Sequence, residues 1–357
     1  MVSIIIPVYQ VSEYVERCIR SVMAQSYQDI ECVIVDDCGE DDSIEKCERL
    51  IKEYNEGRSK KEEGRSKKDD NLDENEGRKT KDDNVRGRIR FRIIRHERNR
   101  GLSAARNTGT HEATGDYLYY LDSDDYIAPD CIEKLVSVVL DDPSIEMVQG
   151  NCMMTSDDRE TLLYTIDHPI KTVTNEEARK EFYVNRNIYI SVWNRLLKKS
   201  FIEEYQLYCR EGIVFEDLHW VFYLLKHLKR AYLCSDITYY YCLRAGSILV
   251  AAKPASVGSY AIIFDEIFHH LTEGQEQEEI KGFLFYFVKR YVSYVKSVPA
   301  FKDTIRLYKD RARKYRCWNA YLVLCLIGYV CRLGNPLGLI GSLNALRWKW
   351  KRFANEK

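Results

Sequence analysis

The run VSIIIPVYQ at residues 2–10 decides the fold. Its β-branched residues follow one another without polar alternation, the mark of a strand covered on both faces. Strands of that kind belong to parallel sheets flanked by helices. No basic lead region precedes the run and a proline interrupts it at position 7, so it reads as a first core strand rather than a signal peptide.

Working outward, Val15, Cys18, Ile19, Val22 and Met23 recur at helical spacing, with Ser12 placed to cap that helix. IECVIV (30–35) predicts a second buried strand, ending at Asp36-Asp37, and a helix follows with Ile44, Cys47, Ile51 and Tyr54 on one face. FRIIR (91–95), LSAARNTGTHEA (102–113) and YLYYL (117–121) predict strand, helix and strand. The β-α-β-α-β-α-β rhythm predicts an α/β fold: a mostly parallel central sheet with helices on both faces. Ligands of such sheets sit outside the carboxyl ends of the strands, where Asp36, Asp37, Asp122 and Asp124 fall.

One segment breaks the rhythm. Residues 55–88 hold EGRSKK twice, with Leu72 and Val85 as their only large apolar side chains. Such a stretch cannot bury enough surface to offset its ordering entropy, which predicts a low-complexity insertion, disordered or weakly helical. The interleaved acids cancel its lysines, and the whole chain carries a formal net charge of −1, so no nucleic-acid partner is expected. Twelve cysteines without a CxxC pair read as reduced core thiols of a cytoplasmic protein.

The expected domains are 1–245 and a helical region at 246–357. WNAYLVLCLIGYVCRL (318–333) is shorter than the roughly 20 apolar residues of a spanning helix. Trp348 and Trp350 lie among Arg347, Lys349, Lys351 and Arg352, a composition suited to peripheral contact with the anionic face of the inner membrane. Packing of these helices on the first domain is the other reading.

Three groups of residues point to chemistry. Asp122 and Asp124, at i and i+2, project from one side of a strand end, and a hard divalent cation such as Mg²⁺ or Mn²⁺ relieves their repulsion while leaving sites for phosphate oxygens. Asp125 points elsewhere and is assigned to the turn. In NRGLSAARNTG (99–109), Gly101 lets backbone approach a ligand and Arg106 can meet a phosphate or base edge. Asp36 suits the imide donor of a nucleobase. In EGIVFEDLHW (211–220), neighbouring carboxylates point in different directions, so one of Glu216 and Asp217 can serve as general base while the other caps a helix.

In order, VSIIIPVYQ, VIVDD, NRGLSAARNTG, YLDSDDYIAPD, VWNRLLKKSFI and FEDL resemble the family 2 glycosyltransferases of GT-A fold, over roughly 1–54 and 90–250. The resemblance implies an inverting, metal-assisted transfer from a nucleotide-sugar, usually UDP-linked, to a glycan or lipid-linked acceptor. It places Asp36 on the uracil, walled by Pro7 and Tyr9, with Arg106 near the nucleotide. Asp122 meets the ribose or the metal, Asp124 is the metal ligand proper, and Asp217 is the catalytic base. Trp193, Asn194 and Glu216 border the acceptor, and Arg244 and Ser247 approach the diphosphate. The sequence departs from the family at Cys38-Gly39, where Gly-Ser is usual. A sugar-nucleotide pyrophosphorylase is the nearest alternative, but no glycine-rich loop follows the first strand, and neither a P-loop nor GxGxxG occurs there. A nucleotide-binding module without turnover is the non-enzyme alternative.

Overall fold

The computed structural model describes residues 1–69, 89–156, 159–162, 172–185, 187–243 and 254–273, with single positions at 306, 309, 310, 313 and 325. In chain order the elements are β1 (Val2–Val8), α1 (Val15–Met23), β2 (Ile30–Asp36), α2 (Ser43–Asp69), β3 (Arg90–Arg95), α3 (Leu102–Glu112), β4 (Tyr117–Tyr120) and β5 (Tyr126–Ile127). There follow α4 (Cys131–Asp141), β6 (Met147–Ser156), β7 (Arg159–Leu162), β8 (Thr172–Thr174), α5 (Asn175–Lys180), a π-turn (Glu181–Asn185), β9 (Arg195–Lys198) and α6 (Lys199–Glu204). The last are α7 (Glu216–His227), β10 (Arg230–Cys242) and α8 (Pro254–Glu273).

The four strands read from the sequence form one parallel block in the order β3-β2-β1-β4. Every residue of β1 is buried, as its largely apolar run leads one to expect, with Ser3 satisfied by donating to Glu31 Oε2 at 2.8 Å. Ile4 and Ile6 face one layer of core with α1, while Ile5 faces the other with α3. Gly109 sits directly over Ile5, whose Cγ2 would lie 2.3 Å from an added Cβ, so α3 packs against β1 at a distance only glycine permits. That close seat sets the height of Arg106, one turn earlier on the same helix.

Beyond β4 the sheet is mixed. β9 runs antiparallel to β4 and to β6, and the order continues β9-β6-β10-β5. The rhythm of the first 121 residues carries no sign of this, because β9 arrives about 75 residues later and is only four residues long.

One expectation is corrected and two are sharpened. Ser12 does not cap α1, whose N-cap is Tyr14 without a side-chain bond. Its hydroxyl is drawn instead to Asp42 and to Lys46 Nζ (2.6 Å), partners that a local capping pattern does not foresee. Asp125 closes the turn assigned to it, its N–H donating to the Asp122 carbonyl at 3.0 Å, and it is fully buried there, accepting from Tyr239 Oη at 2.6 Å and the Cys242 N–H at 2.8 Å. Burial beside Asp124 and Asp122 pushes its carboxyl well above the usual range. The proposed insertion begins as helix, since α2 continues to Asp69, while residues 70–88 lie outside the described residues.

The chain divides into two compact units, Met1–Gly212 with Glu216–Ser247, and Ile213–Phe215 with Ile248–Lys357. In the second unit α8 buries Ile263, Phe264, Ile267 and Leu271 on one face, and the Ser259 hydroxyl accepts from the Val214 N–H at 3.0 Å. The apolar run at 318–333, apart from Cys325, and the basic aromatic end lie outside the described residues. Among the described residues no helix is long and apolar enough to cross a membrane.

Candidate active site

The carboxyl ends of β1, β2 and β4 share one edge, and the loops leaving them are tied together. After β1, the Val11 N–H donates to Ser43 Oγ (3.0 Å) and the Ser12 N–H to Asp41 Oδ2 (2.9 Å). These bonds fix the rim of a cleft of about 120 Å³ lined by Tyr9, Gln10, Asp36, Gly39, Ile44 and Arg95 among others. Tyr9 is 42% exposed there, an aromatic face free to meet a planar group. Pro7 stays inside buried β1 and is not among the lining residues.

Asp36 turns its Oδ1 to the Cys38 N–H (2.9 Å) and its Oδ2 toward Arg95 Nε (3.7 Å). Cys38 itself has φ +59°, a left-handed backbone, which explains why glycine suits this position. Asp37 does something the sequence reading missed. Its two oxygens accept from the Arg100 and Gly101 N–H groups at 2.8 Å each, and Oδ1 also meets His96 Nδ1 at 2.7 Å. Gly101, at φ +88°, makes the bend into α3, so Asp37 anchors the start of the helix that carries Arg106. An acidic pair at one strand end followed by an NRG turn at the next was the available signal.

Arg106 is the centre of the site. Its side chain is 1% exposed, and it gathers three carboxylates from distant parts of the chain. Nη2 donates to Asp122 Oδ1 at 2.7 Å, while Nη1 donates to Glu216 Oε1 at 2.6 Å and Asp217 Oδ1 at 3.2 Å. Burial pulls the guanidinium pKa down, but Asp122, Asp217 and Glu216 more than offset it and hold Arg106 cationic. The expectation that Glu216 and Asp217 diverge is therefore corrected, since both reach one guanidinium from the first turn of α7.

The two carboxylates nonetheless differ. Glu216 is 7% exposed and makes the shorter bond, whereas Asp217 is 26% exposed. Burial raises both pKa values, with Arg106 opposing; Asp217, also repelled by Glu216 and Asp122, is pushed up to about 7. Glu216 suits an anchor and Asp217 a proton acceptor.

Asp122 and Asp124 stand half-buried at the end of β4. Asp122 Oδ2 has no hydrogen-bond partner among the described residues, and no three His, Cys, Asp or Glu side chains there form a cage. A donor set of one or two carboxylates fits Mg²⁺ or Mn²⁺, hard ions that complete their shell with substrate oxygens and water.

Other predicted residues fall elsewhere. Asn194 is fully buried at φ +60°, with Oδ1 accepting from Thr238 Oγ1 (2.7 Å) and Tyr119 Oη (3.1 Å) and Nδ2 donating to the Gly150 and Asn151 carbonyls. Its amide is used up holding strands together, so it does not border an acceptor. Trp193 is 7% exposed and stacks on Tyr239 at 4.4 Å and Tyr241 at 5.7 Å. Tyr239 in turn offers its Oη to the Asp122 N–H at 3.3 Å, so this aromatic strip abuts the acidic loop. Arg244 and Ser247 lie outside the described residues.

Comparison with known proteins gives the family and the fold. The family model described as "Glycosyl transferase family 2" matches residues 3–74 and 78–205. "Glycosyltransferase GlyA" of Streptococcus pneumoniae is 30% identical over 260 residues, 69% of this chain, and the match spans 31% of that relative's length. "Glycosyltransferase GlyG" of the same organism is 24% identical over 70% of this chain and 73% of its own. Among solved structures, S. aureus TarS 1-349 in complex with UDP-GlcNAc matches with a TM-score of 0.57 at 17% identity, over 94% of this chain and 92% of that one. The shared fold is the GT-A fold.

Proposed function

Because this chain belongs to glycosyl transferase family 2, we propose that it moves a sugar from a UDP-linked donor to a hydroxyl of a glycan or lipid-linked acceptor, inverting the anomeric centre. The observation that carries the reading is the convergence of Asp122, Glu216 and Asp217 on Arg106, which joins the acidic loop to a carboxylate of raised pKa. The family match favours it over the nucleotidyltransferase alternative.

Tyr9 and Asp36 receive the nucleobase, Asp36 accepting from an imide N–H within the cleft. The choice of uracil is supported by the UDP-GlcNAc that TarS, a protein of the same fold, carries. Asp122 and Asp124 would hold the divalent cation. When bound, that cation supplies charge neutralisation for the departing diphosphate.

The chain's own residues then do the rest. Asp217, deprotonated, takes the proton of the acceptor hydroxyl as its oxygen attacks the anomeric carbon opposite the leaving group, a single displacement that inverts configuration. Arg106 keeps Asp217 oriented and lowers its proton affinity against the burial that raises it. Glu216, more deeply seated, holds Arg106 in place. Peripheral contact with an anionic membrane through the basic aromatic end, from the cytoplasmic face, brings the enzyme to a lipid-linked acceptor; flotation with phosphatidylglycerol liposomes, with and without residues 316–357, tests it.

The direct test incubates the full chain with Mn²⁺ and a panel of UDP-sugars and measures UDP release. Release from one or a few donors is expected. UDP binding without release from any donor, with any glycan acceptor, would favour a binding module without turnover.

A further inference from the structure

We propose that Asn107 is a positioning residue for transfer, fixing the segment that leads into the proposed base by clamping the backbone of Cys209. Its Oδ1 accepts from the Cys209 N–H at 2.8 Å, and its Nδ2 donates to the Cys209 carbonyl at 2.9 Å. Both ends of one amide thus engage a single residue 102 positions away, which fixes direction as well as distance. Nδ2 also lies 3.3 Å from Glu211 Oε1. Cys209 is 5% exposed, so its backbone groups need partners from within the protein.

The same segment is held from its other side, where Trp220 Nε1 on α7 donates to the Leu207 carbonyl at 2.8 Å. Residues 207–209 are therefore bracketed between α3 and α7. Arg106, the neighbour of Asn107 on α3, grips Glu216 and Asp217 at the start of α7. Two adjacent side chains of one helix set where α7 begins relative to Asp122. Neither is among the residues lining the cleft at Asp36. The inference rests on reading Asp217 as the base. Asn107 touches no reacting atom in that reading and acts only through the segment it holds.

The test compares Asn107→Ala, Asn107→Asp and Asp217→Asn in the full chain. It measures kcat and KM for UDP release from the UDP-sugar the wild type turns over fastest, and calorimetric binding of UDP with Mn²⁺. Misplacement on the ångström scale lowers kcat by about 100-fold, so Asn107→Ala should show a loss of that order. Its KM and UDP affinity should stay within about threefold of wild type. Asn107→Asp keeps the side-chain volume and the bond from the Cys209 N–H but cannot donate to the carbonyl; it should fold where alanine fails and lose about tenfold in kcat. Turnover near wild type in both variants, with Asp217→Asn inactive, overturns the positioning role and leaves the base reading standing. UDP affinity falling in step with kcat also overturns it, since Asn107 would then support the fold at large. An active Asp217→Asn removes the base reading itself, and this inference with it.

Discussion

Arg106 Nη2 donates to Asp122 Oδ1 at 2.7 Å, so the helix after β3 and the acidic loop after β4 are joined by an ion pair that is almost fully buried on the arginine side. The other terminal nitrogen of the same guanidinium serves Glu216 and Asp217, 110 and 111 residues further on. The residue expected to sit near the nucleotide is also the common counter-ion of three acids.

Removing that counter-ion should be costly. Arg106→Ala leaves Glu216 buried without its partner, a loss of about 3–5 kcal/mol for a broken buried pair. A melting temperature lower by roughly 10 °C follows for a domain of this size. Arg106→Lys keeps the charge without the fork that reaches both sides, so its melting point should fall between the two. Thermal unfolding of Arg106→Ala within about 2 °C of wild type would show that the three acids do not depend on it.

Asp124→Ala should weaken Mn²⁺-dependent binding of UDP by at least about tenfold, while binding measured in EDTA changes little. Calorimetry with and without Mn²⁺ separates the two. Equal loss in both conditions would assign Asp124 to the nucleotide rather than to the cation.

The pKa of Asp217, about 7, gives a sign to the pH dependence. The proposed base works deprotonated, so turnover should fall as pH drops through 7, approaching tenfold per unit on the acid side. A plateau is expected above about pH 8. Steady-state UDP release from pH 5.5 to 8.5 checks it, and a flat profile across that range would contradict the assignment.

Cys38 is a local test of backbone strain. At φ +59° a side chain crowds its own carbonyl, a cost of order 1–2 kcal/mol that glycine avoids, partly returned through glycine's freer unfolded chain. Cys38→Gly should therefore raise stability by about 0.5 kcal/mol in urea unfolding. Destabilisation would mean that the thiol contributes more than the weak 3.9 Å contact with the Glu97 carbonyl suggests.

What the chain declared in advance follows from the range of each interaction. The parallel block was legible because β1 and β2 are mostly apolar, β-branched runs without polar alternation, and such runs have one common use. Asp122 and Asp36 were legible because a strand end in that block is a ligand edge. Arg106 was visible as a cation but not as a hub, since its partners are set by how α7 folds back, which no local pattern encodes. Asn194 shows the converse. Its motif marks the position, but whether an amide faces a cleft or a core depends on Thr238 and Tyr119, which meet it only in the assembled sheet. Ser12 had a plausible capping role and lost it to Asp42 and Lys46 for the same reason. Asp125, adjacent to the acidic pair, was separable from it by direction, yet its burial under Tyr239 was not foreseeable.

The most direct measurement of the central claim is turnover by Asp217→Asn, with UDP release and calorimetric UDP–Mn²⁺ affinity taken on the same preparation. Asparagine keeps the volume beside Arg106 but cannot take a proton, so release should drop by at least about 10²–10⁴-fold while UDP affinity is retained. Turnover within a few-fold of wild type, at unchanged affinity, would contradict Asp217 as the base and with it the mechanism proposed for this site.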